Sequence, residues 1–260
     1  MRTYNGKLKK FFKKMIYLFL YFFITYNHAQ ETNFLATYKV NFNPVNFDSL
    51  MVENKLKGRD LTIKKMVERQ LKLLEENSKN LDKLRFTLEY NSDTSKFIEV
   101  PLLYIEQKNM HLIKTMMGIT DEQYYTTNNI IIREINAYGQ DFLIEFPKTK
   151  WKITNTSKKI GKYTCYKATT VMKRENSKGK FDQNIIAWFT PNIPFNYGPK
   201  NYSGLPGLIV ELTEGEKKSY QLVNIKNKSY RKLELPTNGK KISLEEFKDL
   251  DKKMFENRKN

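Results

Sequence analysis

The stretch NIIAWFTPNIPFNYGPKNYSGLPGLIVEL, residues 184–212, determines how we interpret the rest of the chain. It joins an apolar run that ends at Trp188 to a second run that begins at Leu208, through a segment with four prolines. Each proline fixes its own φ and restricts the residue before it, so this segment is stiff. Near its end, Pro206 and Gly207 occupy the two central positions expected of a type II turn.

The same segment is rich in aromatic residues, and two interpretations of them stay open. Rigid aromatic side chains lose little entropy on contact with a partner, which favours a binding surface. Large aromatics are more often buried, which favours a plug at the end of an open barrel with Trp188 in its core. The burial argument has the preference. If the segment binds a ligand or partner, the expected contact residues are Trp188, Phe195, Tyr197, Tyr202, Leu205 and Pro206.

Several short motifs precede this segment or lie within it. They are Trp151, Gly161, Tyr163, Cys165, Lys167 with Ala168, the string Ala187-Trp188-Phe189-Thr190, Ile193-Pro194, Gly198-Pro199 and an unbroken GLPGLI at 204–209. Over residues 151–212 the chain thereby resembles the GLPGLI family, exported proteins of Bacteroidetes for which no activity is established. The resemblance implies one GLPGLI-type domain over residues 30–260 and an exported, uncharacterised protein.

The N-terminus carries the pattern of a cleavable secretory signal. Residues 1–14 contain six basic residues and no acid, and residues 15–26 form an apolar and aromatic run that is too short to span a bilayer. We expect residues 1–29 to be the signal peptide and the mature protein to have no stable membrane span. The expected location is the periplasm or the extracellular space, with association to the outer membrane left open.

The charge of the chain does not indicate nucleic-acid binding. Removing residues 1–29, with six bases and no acid, lowers the net charge from +18 to +12. Only eight of the 46 basic residues are arginine, which is the residue preferred for bidentate contacts to phosphate and guanine. Lysines spread along the chain are typical of a solvated surface, so we expect no nucleic-acid partner.

The strongest periodic pattern is helical. Between residues 60 and 79, apolar residues recur on one helical stripe while lysines, arginine and glutamates occupy the other face. The stripe consists of Ile63, Met66, Val67, Leu71 and Leu74. Asp60 is the expected N-cap, and Ser243 with Glu246 forms a capping box that opens a short C-terminal helix.

Most of the remaining chain alternates as β-strands. The expected strands are 37–43, 84–90, 96–100, 123–135, 141–146, 151–154, 163–174, 181–190, 208–213 and 219–226. Together these patterns predict an α+β fold: a curved antiparallel sheet or open half-barrel covered by one long amphipathic helix, with a short C-terminal helix. That outline is similar to the LolA/LolB-like lipoprotein carriers, by analogy at the level of the fold alone.

The sequence shows no set of residues typical of a catalytic site. Outside the signal, His111 is the only histidine and Cys165 the only cysteine, so no zinc site of familiar ligand spacing is expected. Cys165 lies in a strand pattern, which indicates a buried, inert thiol. We therefore expect a protein that is not an enzyme, with no catalytic residues, no metal and no cofactor. A hydrolase would require an accessible Cys165 close to His111.

Two hypotheses about function remain. The preferred one is a non-catalytic binding or carrier protein of the cell envelope for a hydrophobic ligand, lipid or peptide. It predicts a cavity between helix and sheet, lined by Ile63, Val67, Leu74 and sheet residues such as Ile186. The alternative is a structural or protein-interaction module of the envelope that docks through residues 188–209. It predicts an exposed patch formed by Tyr197, Tyr202 and Leu205.

Overall fold

The computed structural model describes residues 13–15, 32–42, 60–78, 83–103, 110, 114, 118–176, 179–215 and 218–257. Apart from the helical residues 13–15, 110 and 114, the regular elements of the described part are twelve strands and two helices. In chain order they are β1 (Asn33–Phe42), α1 (Leu61–Ser78), β2 (Arg85–Tyr90), β3 (Thr94–Glu99), β4 (Gln123–Thr127), β5 (Ile131–Ala137), β6 (Gln140–Phe146), β7 (Lys152–Ile160), β8 (Tyr163–Asn176), β9 (Gly179–Thr190), β10 (Leu208–Glu214), β11 (Lys218–Lys228), β12 (Lys240–Ser243) and α2 (Leu244–Asn257).

All twelve strands belong to one sheet. Its order is β12-β6-β5-β4-β3-β2-β1-β11-β10-β9-β8-β7. Every neighbouring pair is antiparallel except β12 with β6, which run parallel, so the sheet is mixed. β1 pairs with β2 on one side and with β11 on the other. The first strand of the domain therefore joins the half made of β2 to β6 to the half made of β7 to β11.

One face of the sheet carries the main hydrophobic core, and we call it the inner face. Residues directly opposite each other in an antiparallel pair point to the same side, so the register identifies its members. They include Tyr38, Phe86, Phe97, Tyr124, Leu212 and Tyr220. At its centre the ring of Phe86 lies 5.3 Å from that of Phe97 and 5.4 Å from that of Tyr220.

Two different segments cover the two halves of the inner face. The loop between β9 and β10, residues 191–207, packs its apolar side chains into the same core as Ala168, Ile185 and Leu212 of the sheet. On the other half, α2 packs on β5 and β6, where the ring of Phe247 lies 5.4 Å from that of Phe142. A loop and a short helix therefore take the covering role.

The predicted fold class, a sheet covered by one long amphipathic helix, is wrong. Helix α1 exists, and Asp60 caps it by accepting a hydrogen bond from the Thr62 amide at 2.6 Å. Its side chains Ile63 and Met66, however, are 38% and 56% exposed rather than buried on the sheet. The rings of the 191–207 loop fill the space that the prediction assigned to the helix. The parallel β12 also contradicts an entirely antiparallel sheet.

Other local predictions have clear outcomes. The capping box of α2 is confirmed, because the Ser243 amide donates to Glu246 at 2.8 Å and the Glu246 amide to Ser243 at 3.2 Å. The predicted strand 123–135 is two strands, β4 and β5, separated by a turn.

Within the described residues, no helix is both long and apolar enough to cross a membrane. The predicted signal peptide lies outside the described residues, apart from 13–15.

The turn at Pro206 and Gly207 differs from the type II turn that we predicted. Gly207 has the positive φ expected of it, +143°, but its own amide donates to the Leu205 carbonyl at 2.8 Å. The Leu208 amide, which would close a type II turn, donates instead to Ile193 at 3.0 Å. The turn is therefore tighter by one residue, because the strand that follows is already bonded to the loop.

Glycine is required at 207 for a second reason, and this gives a test. A Cβ atom there would lie 2.2 Å from the backbone oxygen of Thr190, a contact that only a backbone shift can relieve. We expect Gly207→Ala to lower the free energy of unfolding by more than about 3 kcal/mol, from strain and displacement together. Urea denaturation measures this loss.

The matched control is Gly204→Ala in the same motif. Gly204 also has a positive φ, +89°, but open space surrounds its Cβ position. Its cost should be limited to about 1 kcal/mol of backbone strain. Equal losses for the two variants would show that the close approach to Thr190 does not constrain the turn.

Candidate functional site

The structure buries three of the six residues proposed as a contact surface. Tyr197 and Leu205 are each 1% exposed, and Tyr202 is fully buried. Phe195 is half-buried, with its ring 4.9 Å from that of Tyr90 and 5.2 Å from that of Phe34. The prediction that Tyr197, Tyr202 and Leu205 form an exposed docking patch is therefore wrong. These side chains belong to the core.

The two remaining residues of that set lie elsewhere. Pro206 is exposed at the turn. Trp188 is half-buried on the opposite, outer face of the sheet, where the Lys158 ammonium lies 4.2 Å from the centre of its ring. The same ammonium forms an ion pair with Glu211 at 2.8 Å. The structure thus does not bring the six predicted residues together, and Trp188 is not part of the plug.

Backbone hydrogen bonds attach the loop to the strand that follows it. The Gly204 amide donates to Asn196 at 2.8 Å, and the Ile209 amide donates to Tyr197 at 3.0 Å. From the far edge of the sheet, the indole N–H of Trp151 donates to the Ser203 carbonyl at 2.8 Å. The loop is therefore an integral layer of the fold rather than a mobile surface segment.

The buried carboxylate of Glu214, at the end of β10, holds the loop through ionic and hydrogen-bonded contacts. Its side chain is 2% exposed and lies 3.2 Å from the Lys200 ammonium of the loop and 3.1 Å from the Lys218 ammonium of β11. The Tyr202 hydroxyl donates to the same carboxylate at 3.1 Å. Arg174 approaches to 4.0 Å at the rim. We call these five residues the Glu214 cluster.

The electrostatics of the cluster favour the ionised carboxylate. Burial alone would raise the pKa of Glu214, but Lys200 and Lys218 outweigh this effect and hold it at about 2. Burial and repulsion from Lys200 lower the pKa of Lys218 below its ordinary value. A single negative charge thus compensates two neighbouring ammonium groups in a dry environment, and its loss would leave them uncompensated.

An open cleft of about 700 Å³ lies in the other half of the sheet. It forms where β3 ends, β4 begins and β5 ends, which are neighbouring strands at the same end of the sheet. Its lining combines apolar and charged side chains: Ile98, Glu99, Pro101, Leu102, Lys114, Ile119, Thr120, Asp121, Glu122, Gln123, Ile135 and Asn136. Neither Ile63 nor Ile186, the two residues of the predicted cavity whose side chains are described, lines this cleft. The side chains of Val67 and Leu74 lie outside what the structure describes.

The charged groups of the cleft are held in ion pairs. The Lys114 ammonium lies 2.8 Å from Glu99 and also contacts Asp121. Glu122 lies 3.0 Å from the Arg133 guanidinium, which in turn stacks on the Phe247 ring of α2 at 5.6 Å. Burial raises the pKa of Glu99 against the opposing effect of Lys114. These groups are positioned firmly enough to orient a polar part of a ligand.

The sequence carried only part of the signal for this site. Alternation predicted the strands that frame the cleft, but residues 101–120 gave no clear pattern, and they supply Leu102, Lys114 and Ile119. The pairs Glu99–Lys114 and Glu122–Arg133 depend on strand register, which composition does not reveal. No short motif would have found them.

The thiol of Cys165 does not have the properties of a nucleophile. It is fully buried, and burial raises its pKa to about 11, so the thiol is protonated at neutral pH. His111, its proposed partner in a hydrolase, lies outside the described residues. In the part of the chain that the structure describes, no group of three His, Cys, Asp or Glu side chains could hold a metal ion.

Comparison with known proteins gives a family of unknown function for part of the chain. Residues 151–211 match a family described as a protein of unknown function, Porph_ging. The matched region coincides with the segment that resembles the GLPGLI family, but the match does not confirm the name GLPGLI. No curated protein sequence matches the chain.

Solved structures resemble the fold only loosely. Two crystal forms of PNGF-II, in space groups C2 and P21, superpose with TM-scores of 0.47 at 14% and 16% identity, covering 84% of this chain and 32% or 33% of theirs. The chain thus spans about a third of PNGF-II. An uncharacterised conserved protein from Thermus thermophilus gives a TM-score of 0.32 at 6% identity, covering 82% of this chain and 91% of its own. With TM-scores below 0.5, none of these similarities bears on function.

The Glu214 cluster leads to a stability prediction. Glu214→Gln keeps the shape of the side chain but removes the negative charge that pairs with the ammonium groups of Lys200 and Lys218. We expect it to lower the free energy of unfolding by about 3–5 kcal/mol at neutral pH, as measured by urea denaturation. Glu211→Gln is the matched control: its ion pair with Lys158 is partly exposed, so its loss should stay below about 1 kcal/mol.

The same variant gives a pH dependence with a defined sign. The pKa of Glu214 is lowered from 4.5 to about 2, so its stabilising effect is complete above pH 4.5 and is lost as the pH falls towards 2. The difference in unfolding free energy between the parent protein and Glu214→Gln should therefore shrink over this range. A difference that stays constant down to pH 2 would contradict the assigned charge state.

Proposed function

We propose that this chain is an exported, non-catalytic binding protein whose ligand occupies the cleft at the ends of β3, β4 and β5. The observation that carries this proposal is the cleft itself, since its volume of about 700 Å³ lies within the range of small-molecule sites. Export, with removal of residues 1–29, rests on the N-terminal sequence pattern.

The lining defines the kind of ligand. Ile98, Leu102, Ile119 and Ile135 offer an apolar wall, while the Glu99–Lys114 pair places charge beside it. Such a combination fits an amphipathic molecule with a hydrophobic body and a polar end, such as a lipid or a short peptide. The apolar wall supplies affinity and the fixed charges supply orientation.

The ion pairing of the polar groups supports the binding proposal. Lys114 is shared between Glu99 and Asp121, and Glu122 is held by Arg133 and by the Tyr124 hydroxyl. Charged groups that neighbours hold in place can orient the polar end of a ligand. The proposal assigns no reaction to the cleft.

The first experiment identifies the ligand. The processed protein is purified gently from its own cell envelope and examined by native mass spectrometry, before and after organic extraction. The proposal expects a discrete additional mass that extraction removes. An apo mass that persists after lipids and peptides are offered would contradict it.

A cleft-filling variant locates the site. Ile135→Trp places an indole in the cleft, so we expect the affinity for the recovered ligand to fall by more than about tenfold because apolar wall and volume are both lost. The measurement is titration calorimetry with that ligand. Ile153→Trp is the control, because Ile153 is an exposed residue of the edge strand β7 that does not line the cleft.

Two results would exclude this placement. One is equal binding by Ile135→Trp and the parent protein when both have the same thermal unfolding midpoint. The other is loss of binding in Ile153→Trp alone, which would move the site to the β7 edge.

A further inference from the structure

Strand β7 forms a long, uncovered edge of the sheet. It ends the strand order, so β8 is its only neighbour in the sheet. The opposite edge strand, β12, has four residues, whereas β7 has nine. A strand that is paired on one side leaves the N–H and C=O groups of alternate residues facing outward. In the part of the chain that the structure describes, no backbone hydrogen bond from another segment reaches these groups of β7.

The regular part of this edge is well defined. A bulge between Ile153 and Ser157 interrupts the pairing of β7 with β8. From Ser157 to Ile160 the pairing is continuous, and residues 161 and 162 then turn the chain into β8. We call residues 157–160 the β7 edge. They form a regular acceptor for one more extended segment.

The surroundings of the β7 edge are basic. Between residues 147 and 174 the chain contains nine basic residues and no acidic residue: Lys148, Lys150, Lys152, Lys158, Lys159, Lys162, Lys167, Lys173 and Arg174. Within the described residues, ion pairs connect this stretch only to two acids of β10, Glu211 with Lys158 and Glu214 with Arg174. Five lysines on or next to β7 are exposed and form no ion pair with the described residues: Lys148, Lys150, Lys152, Lys159 and Lys162.

These charges and the free backbone groups together select the partner. A second copy of the chain would bring the same ammonium groups alongside β7, so the lysines oppose self-pairing. They attract a segment that carries carboxylates instead. A lipid surface or a polysaccharide could also be anionic, but neither has peptide groups that continue the hydrogen bonds of a strand.

We propose that the β7 edge binds an extended, acidic polypeptide segment of another protein as an additional strand of the sheet. Main-chain hydrogen bonds to residues 157–160 hold the segment, and its carboxylates pair with lysines on either face. Strand register places Lys152 on the outer face and Lys159 on the inner-face side. On that side Ile153 and Tyr166, 51% and 40% exposed, offer apolar contacts to the same segment.

This surface is separate from the cleft. No residue of β7 lines the cleft, which lies at the ends of β3 to β5. Binding of an acidic segment at β7 and binding of a ligand in the cleft can therefore be measured independently, and either can fail alone.

The first test uses a synthetic eight-residue peptide of alternating glutamate and valine with blocked ends. Titration calorimetry at low ionic strength should show binding to the parent protein, and a peptide with lysine in place of each glutamate should bind at least about tenfold more weakly. A third peptide, N-methylated at its four central residues, keeps every carboxylate but loses N–H donors on both sides. It should also bind at least about tenfold more weakly than the first.

Two outcomes of this test would overturn the proposal. One is no measurable binding of the acidic peptide. The other is equal binding of the acidic peptide and its N-methylated form, which would show that charge alone attracts the peptide, as it would attract an anionic polysaccharide.

A pair of charge variants tests the position of the contact. Lys152→Glu with Lys159→Glu should weaken binding of the acidic peptide at least about tenfold, because two exposed ammonium groups of β7 become carboxylates. Lys65→Glu with Lys72→Glu is the matched control, since it changes the net charge equally at two exposed lysines of α1. The control should bind as the parent does. Equal weakening in both variants would overturn the proposal.

Hydrogen exchange, followed by NMR, reports on the backbone contact itself. The acidic peptide should slow exchange of amides within residues 157–160 and leave those of β12, at the opposite edge, unchanged. Binding without added protection of β7 would overturn the proposal. Protection of β7 that rises with protein concentration in the absence of peptide would indicate self-pairing and would also overturn it.

Discussion

The buried ion cluster around Glu214 is the interaction on which the arrangement of this molecule depends. A carboxylate that is 2% exposed is stable only with its counter-ions, and one of these, Lys200, comes from the 191–207 loop. The loop must therefore close over the inner face for the end of β10 to be satisfied. Once it is closed, Tyr197 and Tyr202 complete the core, with Tyr197 beside Tyr90 of β2 and Tyr202 beside Trp151.

Closing one half of the sheet determines where the cleft stays open. The loop packs into the core of the inner face, where Phe195 contacts Phe34 of β1 and Tyr90 of β2. Helix α2 covers β5 and β6, so the open volume is left at the ends of β3 to β5. The two regions are electrostatically connected at Lys200. Burial lowers the pKa of Lys200, but Glu214 and, to a smaller extent, groups that include Glu122 of the cleft raise it above its ordinary value. A charge brought into the cleft would thus be felt at the loop anchor.

Sequence reasoning performed well where structure is local. Alternation located most strands, the capping box of α2 is confirmed, and Gly207 has the positive φ that its position after proline indicated. It failed where structure depends on distant parts of the chain. Periodicity shows that α1 has an apolar face but not what that face contacts, and four-residue β12 pairs in parallel with a strand about a hundred residues earlier.

The predictions about the candidate site also succeeded for local features and failed for features that depend on strand pairing. The aromatic richness of residues 188–205 was evident, but whether those rings bind or pack depends on Glu214 and on the register of β9 with β10. The plug interpretation agrees with the burial of Tyr197 and Tyr202, whereas Trp188 lies on the other face because it alternates with Ala187 in β9. Burial on one or the other face follows from strand pairing, which no single-sequence pattern encodes.

The central claim is that the loop is an interior layer held by the Glu214 cluster. Native-state hydrogen exchange of the amides that bond to the loop tests this claim most directly. The amides of Gly204, Leu208 and Ile209, which donate to loop carbonyls, should exchange only through global unfolding, with protection equal to that of core strand β1. Exchange of these amides at the rate of an exposed loop, while β1 stays protected, would show that the loop opens independently and would contradict the account.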